Sequence, residues 1–405
     1  MAVGPDTLPT LHPVAGFRSG TTSAGVKTPG RRDLVVMELA PGSTVAGVFT
    51  QNQFCAAPVQ ISKSHLAQAE SSFMIVNTGN ANAGTGKEGY DDALACCQAV
   101  ADHAGVSLEQ VLPFSTGVIG EKLPVEKIVA AVPAAFDALT DDGWLDAAIG
   151  IQTTDTRPKA YSLQFEHAGQ TITLTGISKG AGMIRPNMAT MLAYVATDAQ
   201  IEAGLLQSLL SVSADKTFNR VTIDGDTSTN DSCMLVATGA SGVAVSDADP
   251  ALLAAFTAAL DEVMLKLAQA IVRDGEGATK FVTISVEQAA SSEEALKAAY
   301  AVAHSPLVKT ALFASDPNWG RILAAVGYAG VDNLDVDALE IYLGDVCIVA
   351  DGGRAESYTE EAGQAVMNEE DITIRIVLKR GEFNETVWTT DLSKDYVSIN
   401  ADYRS

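Results

Sequence analysis

Short runs of β-branched and aromatic residues alternate with alanine- and leucine-rich runs of helical period along most of this chain, and that alternation restricts it to layered α/β architectures. Residues 45–50 and 72–77 read as strands, and the alanines and leucines of 90–103 recur at helical spacing. Ser107 and Gln110 form a capping-box pattern ahead of a short helix, after which 111–115 returns to extended chain. Runs 160–166 and 171–177 are rich in strand formers and are joined by His167-Ala-Gly-Gln, which predicts a hairpin. A glycine- and proline-bearing stretch then leads into a strand-like run at 191–197, followed by helices over 205–218 and 251–272 and a strand over 280–286. The polar, acidic stretch EQAASSEEA suits a surface connection. A larger unit of residues 1–285 and a smaller α+β unit of residues 286–405 are therefore expected. In the second, helical pattern at 292–313 is interrupted at Pro306, a further helix covers 319–326, and strands cover 339–349, 372–379 and 385–390.

A length of 405 residues is enough for one large core and a second small one. Lysine and arginine total 26 against 50 acidic residues, and the net charge of -24 argues against nucleic acid or an anionic membrane as partner. The most apolar segments, 128–139 and 251–272, are broken by Pro133 or by Asp261 and Lys266, so they read as helices with one buried face rather than as membrane spans. The start, MAVGPDTLPTLHPVAGF, lacks a basic region followed by an apolar one, and a cytoplasmic protein is expected. The cysteines Cys55, Cys96, Cys97, Cys233 and Cys347 have no C-x-x-C spacing and no histidines placed to complete a zinc site, so reduced thiols and no metal are expected.

Three general signatures occur in part. Gly176-Ile-Ser178-Lys-Gly180 fits the serine-hydrolase elbow, but the glycines and Pro186 that follow make the required helix improbable. Gly79 to Lys87 suggests a phosphate-binding loop, yet Ala81 stands where the first glycine belongs and Glu88 where a hydroxyl ligand belongs, so a plain or substrate-facing turn is preferred. DGDTSTND (224–231) resembles the opening of a calcium loop but lacks the glycine at its sixth position and has Leu235 at the twelfth. An Asx-rich turn is the better reading. The five histidines are scattered, which favours mechanisms that need none. An N-terminal threonine is such a device, because its α-amine, with a reference pKa of about 7.7–8.0, can take the proton of its own hydroxyl.

The segment KGAGMIRPNMATMLAYVATDA (179–199) resembles the self-cleavage segment of the ornithine acetyltransferase (ArgJ) family. NTGNANAGTG (77–86), FSTGVIG (114–120), TTDTRPK (153–159), DGDTSTND, RDGEGATK (273–280), SDPNWGRI (315–322) and SINADYRS (398–405) are similar to the family's landmarks, in the family's order. The resemblance spans nearly the whole chain. It implies cleavage between Ala189 and Thr190 into chains 1–189 and 190–405, with Thr190 as nucleophile and Thr116 and Gly117 as the oxyanion hole. Substrate contacts map to Thr153, Lys179, Thr190, Glu276, Asn400 and Ser405. The implied fold is an αββα-type sandwich of the N-terminal-nucleophile kind with a smaller C-terminal α+β domain, assembled as an α2β2 heterotetramer. The implied reaction is acetyl transfer from N-acetylornithine to glutamate in arginine biosynthesis, without metal or cofactor, and some relatives also take acetyl-CoA as donor. The same kind of architecture serves aminopeptidases, so hydrolysis is the alternative within the fold. An uncleaved calcium-binding module on 224–231 is the alternative outside it.

Overall fold

The computed structural model describes residues 2–185 and 191–402. The chain divides into two compact units, one of Thr7–Asn219 with Asp226–Ile271 and one of Met1–Asp6, Arg220–Gly225 and Val272–Ser405.

The larger unit runs β1 (Phe17–Thr22), β2 (Leu34–Leu39), β3 (Thr44–Phe49), α1 (Ala57–Gln68), β4 (Phe73–Asn80), α2 (Gly86–Ala104), β5 (Val111–Val118), α3 (Val125–Asp137), α4 (Trp144–Gly150), β6 (Lys159–His167), β7 (Gln170–Lys179), β8 (Leu192–Thr197), β9 (Gln200–Ile201), α5 (Ala203–Lys216), β10 (Ser232–Ala237), β11 (Ala244–Val245) and α6 (Pro250–Arg273). Its strands form two main sheets, ordered β1-β2-β4-β5 and β3-β10-β8-β7-β6. Pairing is antiparallel except between β4 and β5 and between β8 and β10. Strand geometry sends successive side chains to opposite faces. Val35 and Met37 of β2 therefore join Met74, Phe114, Ile177, Tyr194, Met234 and Val236 in a core between the sheets. Leu34 and Val36, one residue out of phase, pack outward with Ile61 of α1, Cys97 and Val100 of α2 and Ile128 and Val132 of α3. On the far side α5 covers β3 and β10. Leu267 of α6 packs against Gly176 of β7, and Ser178 Oγ donates to the Leu267 carbonyl at 3.3 Å. The layers are thus α, β, β, α, the sandwich that the resemblance implied.

The smaller unit contains β12 (Phe281–Ala289), α7 (Ser292–Ala303), α8 (Pro306–Phe313), α9 (Trp319–Gly327), β13 (Glu340–Leu343), β14 (Val346–Ala350), β15 (Gly353–Arg354), α10 (Glu360–Met367), β16 (Asp371–Val377), β17 (Phe383–Thr390) and α11 (Lys394–Ala401). One sheet, ordered β15-β14-β13-β16-β12-β17, buries Val282, Ile284, Ile374 and Ile376 against Ala298 and Val302 of α7 and Val326 of α9. The break expected at Pro306 is real: Ser305 Oγ accepts the Val308 N–H at 3.3 Å and Pro306 opens a new helix.

Three expectations need correction. The unit boundary does not lie near residue 285, because Ser285 sits inside β12, paired with both Arg375 and Thr386. EQAASSEEA finishes that strand and supplies Ser291, which accepts the Glu294 N–H as the cap of α7. Its polarity marks a strand end and a helix start. The run 339–349 is a hairpin rather than one strand, turning at Gly344, whose φ is +54°. Pro133 does not break its helix: it lies on the exposed face of α3, which runs through it from Val125 to Asp137.

Candidate active site

Thr116 and Gly117 lie near the end of β5, opposite Thr78 and Gly79 of β4. Gly117 adopts φ +137°, and a Cβ there would lie 2.2 Å from the Gly79 carbonyl carbon and 2.4 Å from the Asn80 nitrogen. Only glycine fits, and the main chain at this strand end is left without a covering side chain. The asparagine-rich turn beside it is a brace. Asn77 Nδ2 donates to the Asn80 carbonyl at 2.9 Å, and Asn80 Nδ2 donates to the carbonyls of Glu121 and Lys122. Asn230 Nδ2 ties the turn to β5 through the carbonyls of Ala81 at 2.6 Å and Ser115 at 2.9 Å. Gly84 to Lys87 line one wall of an open cleft of about 620 Å³ with Phe54 and Tyr90.

Lys179 ends β7 and is 3% exposed, and its Nζ donates to Thr116 Oγ1 at 3.2 Å. Asp155 anchors what surrounds it. One carboxylate oxygen accepts Lys159 Nζ at 2.5 Å and the Gly180 N–H at 2.8 Å, and the other accepts the Thr153 N–H at 2.9 Å. Burial opposes charge on Asp155, but the ammonium groups of Lys159 and Lys179 outweigh it and hold the carboxyl well below the usual range. Thr153 is fixed further by Arg31 Nη2, which donates to its carbonyl at 3.2 Å.

A second buried carboxyl behaves oppositely. Asp231, 1% exposed, accepts the Met191 N–H at 2.8 Å through Oδ1. Burial raises its pKa well above the ordinary value, against the Met191 amide, the Lys179 charge and Ser228. One lysine thus lies near two buried aspartates whose pKa values move in opposite directions, Asp155 down and Asp231 up.

In the smaller unit Glu276 Oε2 accepts Asn400 Nδ2 at 2.7 Å. Gly277 makes that approach possible, because at φ +69° its missing Cβ would lie 2.5 Å from Ser393 Oγ and 2.6 Å from the Tyr396 nitrogen, at the start of α11. The structure thus brings together Thr116, Gly117 and Lys179, links Thr153 to them through Asp155, and separately joins Glu276 to Asn400. Ala189, Thr190 and Ser405 lie outside the described residues.

The competing signatures resolve structurally. Ser178 is buried inside β7 rather than perched on an elbow. Asp224 accepts the Tyr396 hydroxyl and Asp231 the Met191 amide, and among the described residues no group of three or more His, Cys, Asp or Glu could hold a metal ion. All five cysteines are free, and burial pushes the Cys96 thiol up to about 12. Among the described residues no helix is long and apolar enough to cross a membrane. Sequence reading missed Asp155, Lys159 and Asp231 as site residues. Their motifs were visible, TTDTRPK and DGDTSTND, but nothing in them announces burial.

A buried lysine set on a strand-end hydroxyl, beside a glycine main chain and two buried carboxyls shifted in opposite directions, on an αββα sandwich, suits an enzyme of acyl chemistry. The chain belongs to the ArgJ family, whose model matches residues 18–405. It is 60% identical over 406 residues, covering 100% of both chains, to the arginine biosynthesis bifunctional protein ArgJ of Pseudomonas fluorescens (strain Pf0-1). It is 56% identical to the protein of the same name from Methylococcus capsulatus, over 98% of this chain and 97% of that one. Among solved structures, the ArgJ protein of Bacillus halodurans is 38% identical over 51% of this chain and 97% of that chain, with a TM-score of 0.49.

Proposed function

We propose that this enzyme transfers the acetyl group of N2-acetyl-L-ornithine to L-glutamate in arginine biosynthesis, through an acetyl ester on Thr190 that self-cleavage first exposes. The Thr190 hydroxyl adds to the Ala189 carbonyl, the C–N bond breaks, and the hydroxyl proton ends on the freed Thr190 nitrogen. Water then opens the ester, releasing the Ala189 carboxylate and restoring the hydroxyl. In turnover the same oxygen attacks the acetyl carbonyl, ornithine leaves with the proton, and the amine of glutamate takes the acetyl group.

The observation that carries this reading is the buried Lys179–Thr116 contact, because Lys179 is the last residue of the strand that leads into the Ala189–Thr190 segment. It brings a cation and a hydroxyl beside the half-buried main chain of Gly117, where an oxyanion requires donors. Thr116 and Gly117 serve the tetrahedral intermediates, and Thr153, Lys179, Glu276, Asn400 and Ser405 bind substrate. A cation suits a carboxylate and Glu276 suits an ammonium. The steps require no metal or cofactor. The word bifunctional in the relatives' names supports acetyl-CoA as a second donor, giving N-acetylglutamate synthesis as well. The cleaved chains assemble as α2β2 in the cytoplasm.

Intact-mass analysis is expected to give two fragments for the wild type and one full-length chain for Thr190→Ala, which transfers no acetyl. An active wild type without a new N-terminus at Thr190 refutes the mechanism. Deacetylation of acetylornithine that ignores glutamate and yields no N-acetylglutamate points to the hydrolase instead.

A further inference from the structure

We propose that Asn230 is the positioning residue of the oxyanion strand end: its side-chain amide clamps β5 to the asparagine-rich turn and so holds Thr116 and Gly117 in the geometry that acetyl transfer requires. This rests on the oxyanion reading of Thr116 and Gly117 above. Strand pairing alone does not fix that place. The register of β4 and β5 shifts at Gly79 and Asn80, so that Thr116 stands opposite both Thr78 and Asn80. Such an irregularity interrupts the regular ladder just where the site needs a fixed main chain. Asn230 makes up for it. It is 6% exposed, and its Nδ2 donates to the Ser115 carbonyl at 2.9 Å, in the peptide unit that leads into Thr116, and to the Ala81 carbonyl of the turn at 2.6 Å.

The amide can point only one way. Its two N–H groups meet carbonyl oxygens and its Oδ1 accepts the Thr229 hydroxyl at 2.6 Å, so a flipped amide would set oxygen against oxygen on two sides. The main chain that carries it belongs to the other sheet. The Thr50 N–H donates to the Asp231 carbonyl at 3.0 Å, the Ala56 N–H to the Thr229 carbonyl at 2.9 Å, and Thr50 Oγ1 to the Ser228 carbonyl at 2.8 Å. Ser232, two residues on, opens β10 opposite Phe49 of β3. Asn230 therefore bridges the two sheets, its base locked to one and its amide to the other. From the first sheet Ser115 Oγ donates to Asn77 Oδ1 at 2.5 Å, and Asn77 Nδ2 returns to the Asn80 carbonyl. A buried polar network whose members are satisfied rigidifies what it surrounds. An oxyanion hole acts through donors set in place before charge develops, and a misplacement of about 1 Å costs on the order of a hundredfold. The clamp also gives a task to DGDTSTND, whose seventh residue is Asn230.

The test compares two buried donors on one strand. Ser62, 0% exposed, donates through Oγ to the Pro113 carbonyl of β5 at 2.7 Å, two residues before the Ser115 carbonyl. Asn230→Ala and Ser62→Ala each leave a β5 carbonyl without that partner, and each should lower the melting temperature by a few degrees. Only Asn230→Ala is expected to lose roughly ten- to a hundredfold in kcat for N-acetylglutamate formation from acetylornithine and glutamate. KM for both substrates should stay within about twofold, because among the described residues Asn230 bonds none of the proposed substrate contacts. Ser62→Ala keeps kcat within about twofold. Asn230→Ser, the milder change, should fall between wild type and Asn230→Ala, and it keeps the result readable if the alanine variant fails to fold. Wild-type kcat in Asn230→Ala, or in Asn230→Ser where the alanine variant does not fold, overturns the proposal. So does an equal loss of kcat in Ser62→Ala, or a loss carried by KM alone. Thr116→Val and Gly117→Ala test the reading beneath it. If neither slows the transfer, the oxyanion reading falls; if either does while the Asn230 variants do not, the role of Asn230 falls alone. A wild type that forms no N-acetylglutamate overturns both.

Discussion

Replacing Asp155 by alanine tests whether the buried ion pair holds the site in shape. The side chains of Lys159 and Asp155 are 1% and 0% exposed, so the change strands an ammonium that water cannot reach. Breaking a buried pair by removing one partner costs roughly 3–5 kcal/mol. The main-chain N–H groups of Thr153 and Gly180 lose their acceptor in the same step. At about 2–4 °C per kcal/mol for a unit of this size, the melting temperature should fall by roughly 6–20 °C. Thermal unfolding is best measured in the Thr190→Ala background, which the proposed mechanism leaves as one continuous chain. Lys159→Met, alone and combined with Asp155→Ala, completes the cycle, and the double variant should be more stable than the sum of the two losses predicts. The folded pKa of Asp155 lies below its unfolded value, so its contribution is present above the unfolded pKa, about 3.9, and is lost as pH falls through the folded one. The gap between wild type and Asp155→Asn should therefore be constant near neutrality and narrow only in strong acid. A loss under about 1 kcal/mol, or simple additivity in the cycle, would refute the reasoning.

Gly117→Ala forces a Cβ to within 2.2 Å of the Gly79 main chain. It should destabilise the fold by about 2 kcal/mol or more and lower acetyl transfer roughly a hundredfold, checked by unfolding and by N-acetylglutamate formation. Lys309, 4% exposed, donates to Thr389 Oγ1 and the Thr390 carbonyl, and burial lowers its pKa to about 8. Because the unfolded lysine titrates near 10.4, the unfolded chain holds more protons between these values and stability from this group rises with pH from about 8 to 10. Lys309→Met should abolish that rise in urea titrations at stepped pH.

Much of the architecture could be read where pattern and environment agree. The hairpin of β6 and β7, the long helix α6 and the break before α8 were all foreseen, because each has one buried face or a local punctuation mark. β2 (LVVMEL) and β10 (SCMLVA) were not, since strands covered on both sides carry no alternation to detect. The site divides in the same way. Thr116, Gly117 and Lys179 came from resemblance, and their contact follows from the facing of the two sheets. Asp155 and Lys159, four residues apart, look like an ordinary surface pair until β6 is buried. Asp231 read as part of an Asx-rich turn, and only the parallel pairing of β10 with β8, Ser232 opposite Leu192, brings it to Met191.

The pairing of Lys179 with Leu192 means that a cut anywhere between residues 180 and 191 severs a link between two strands already zipped side by side. The pieces interleave: β3, β6 and β7 come from the first, β8 and β10 from the second, and β10 lies between β3 and β8. The first piece also threads its start into the other unit, where the Val3 N–H donates to the Arg273 carbonyl at 2.7 Å. Neither fragment can depart without tearing a sheet and baring raw edges. A chain cut there would therefore travel as one body, yet once melted it would have to find its other half by diffusion, so its recovery would depend on concentration where that of an uncut chain does not.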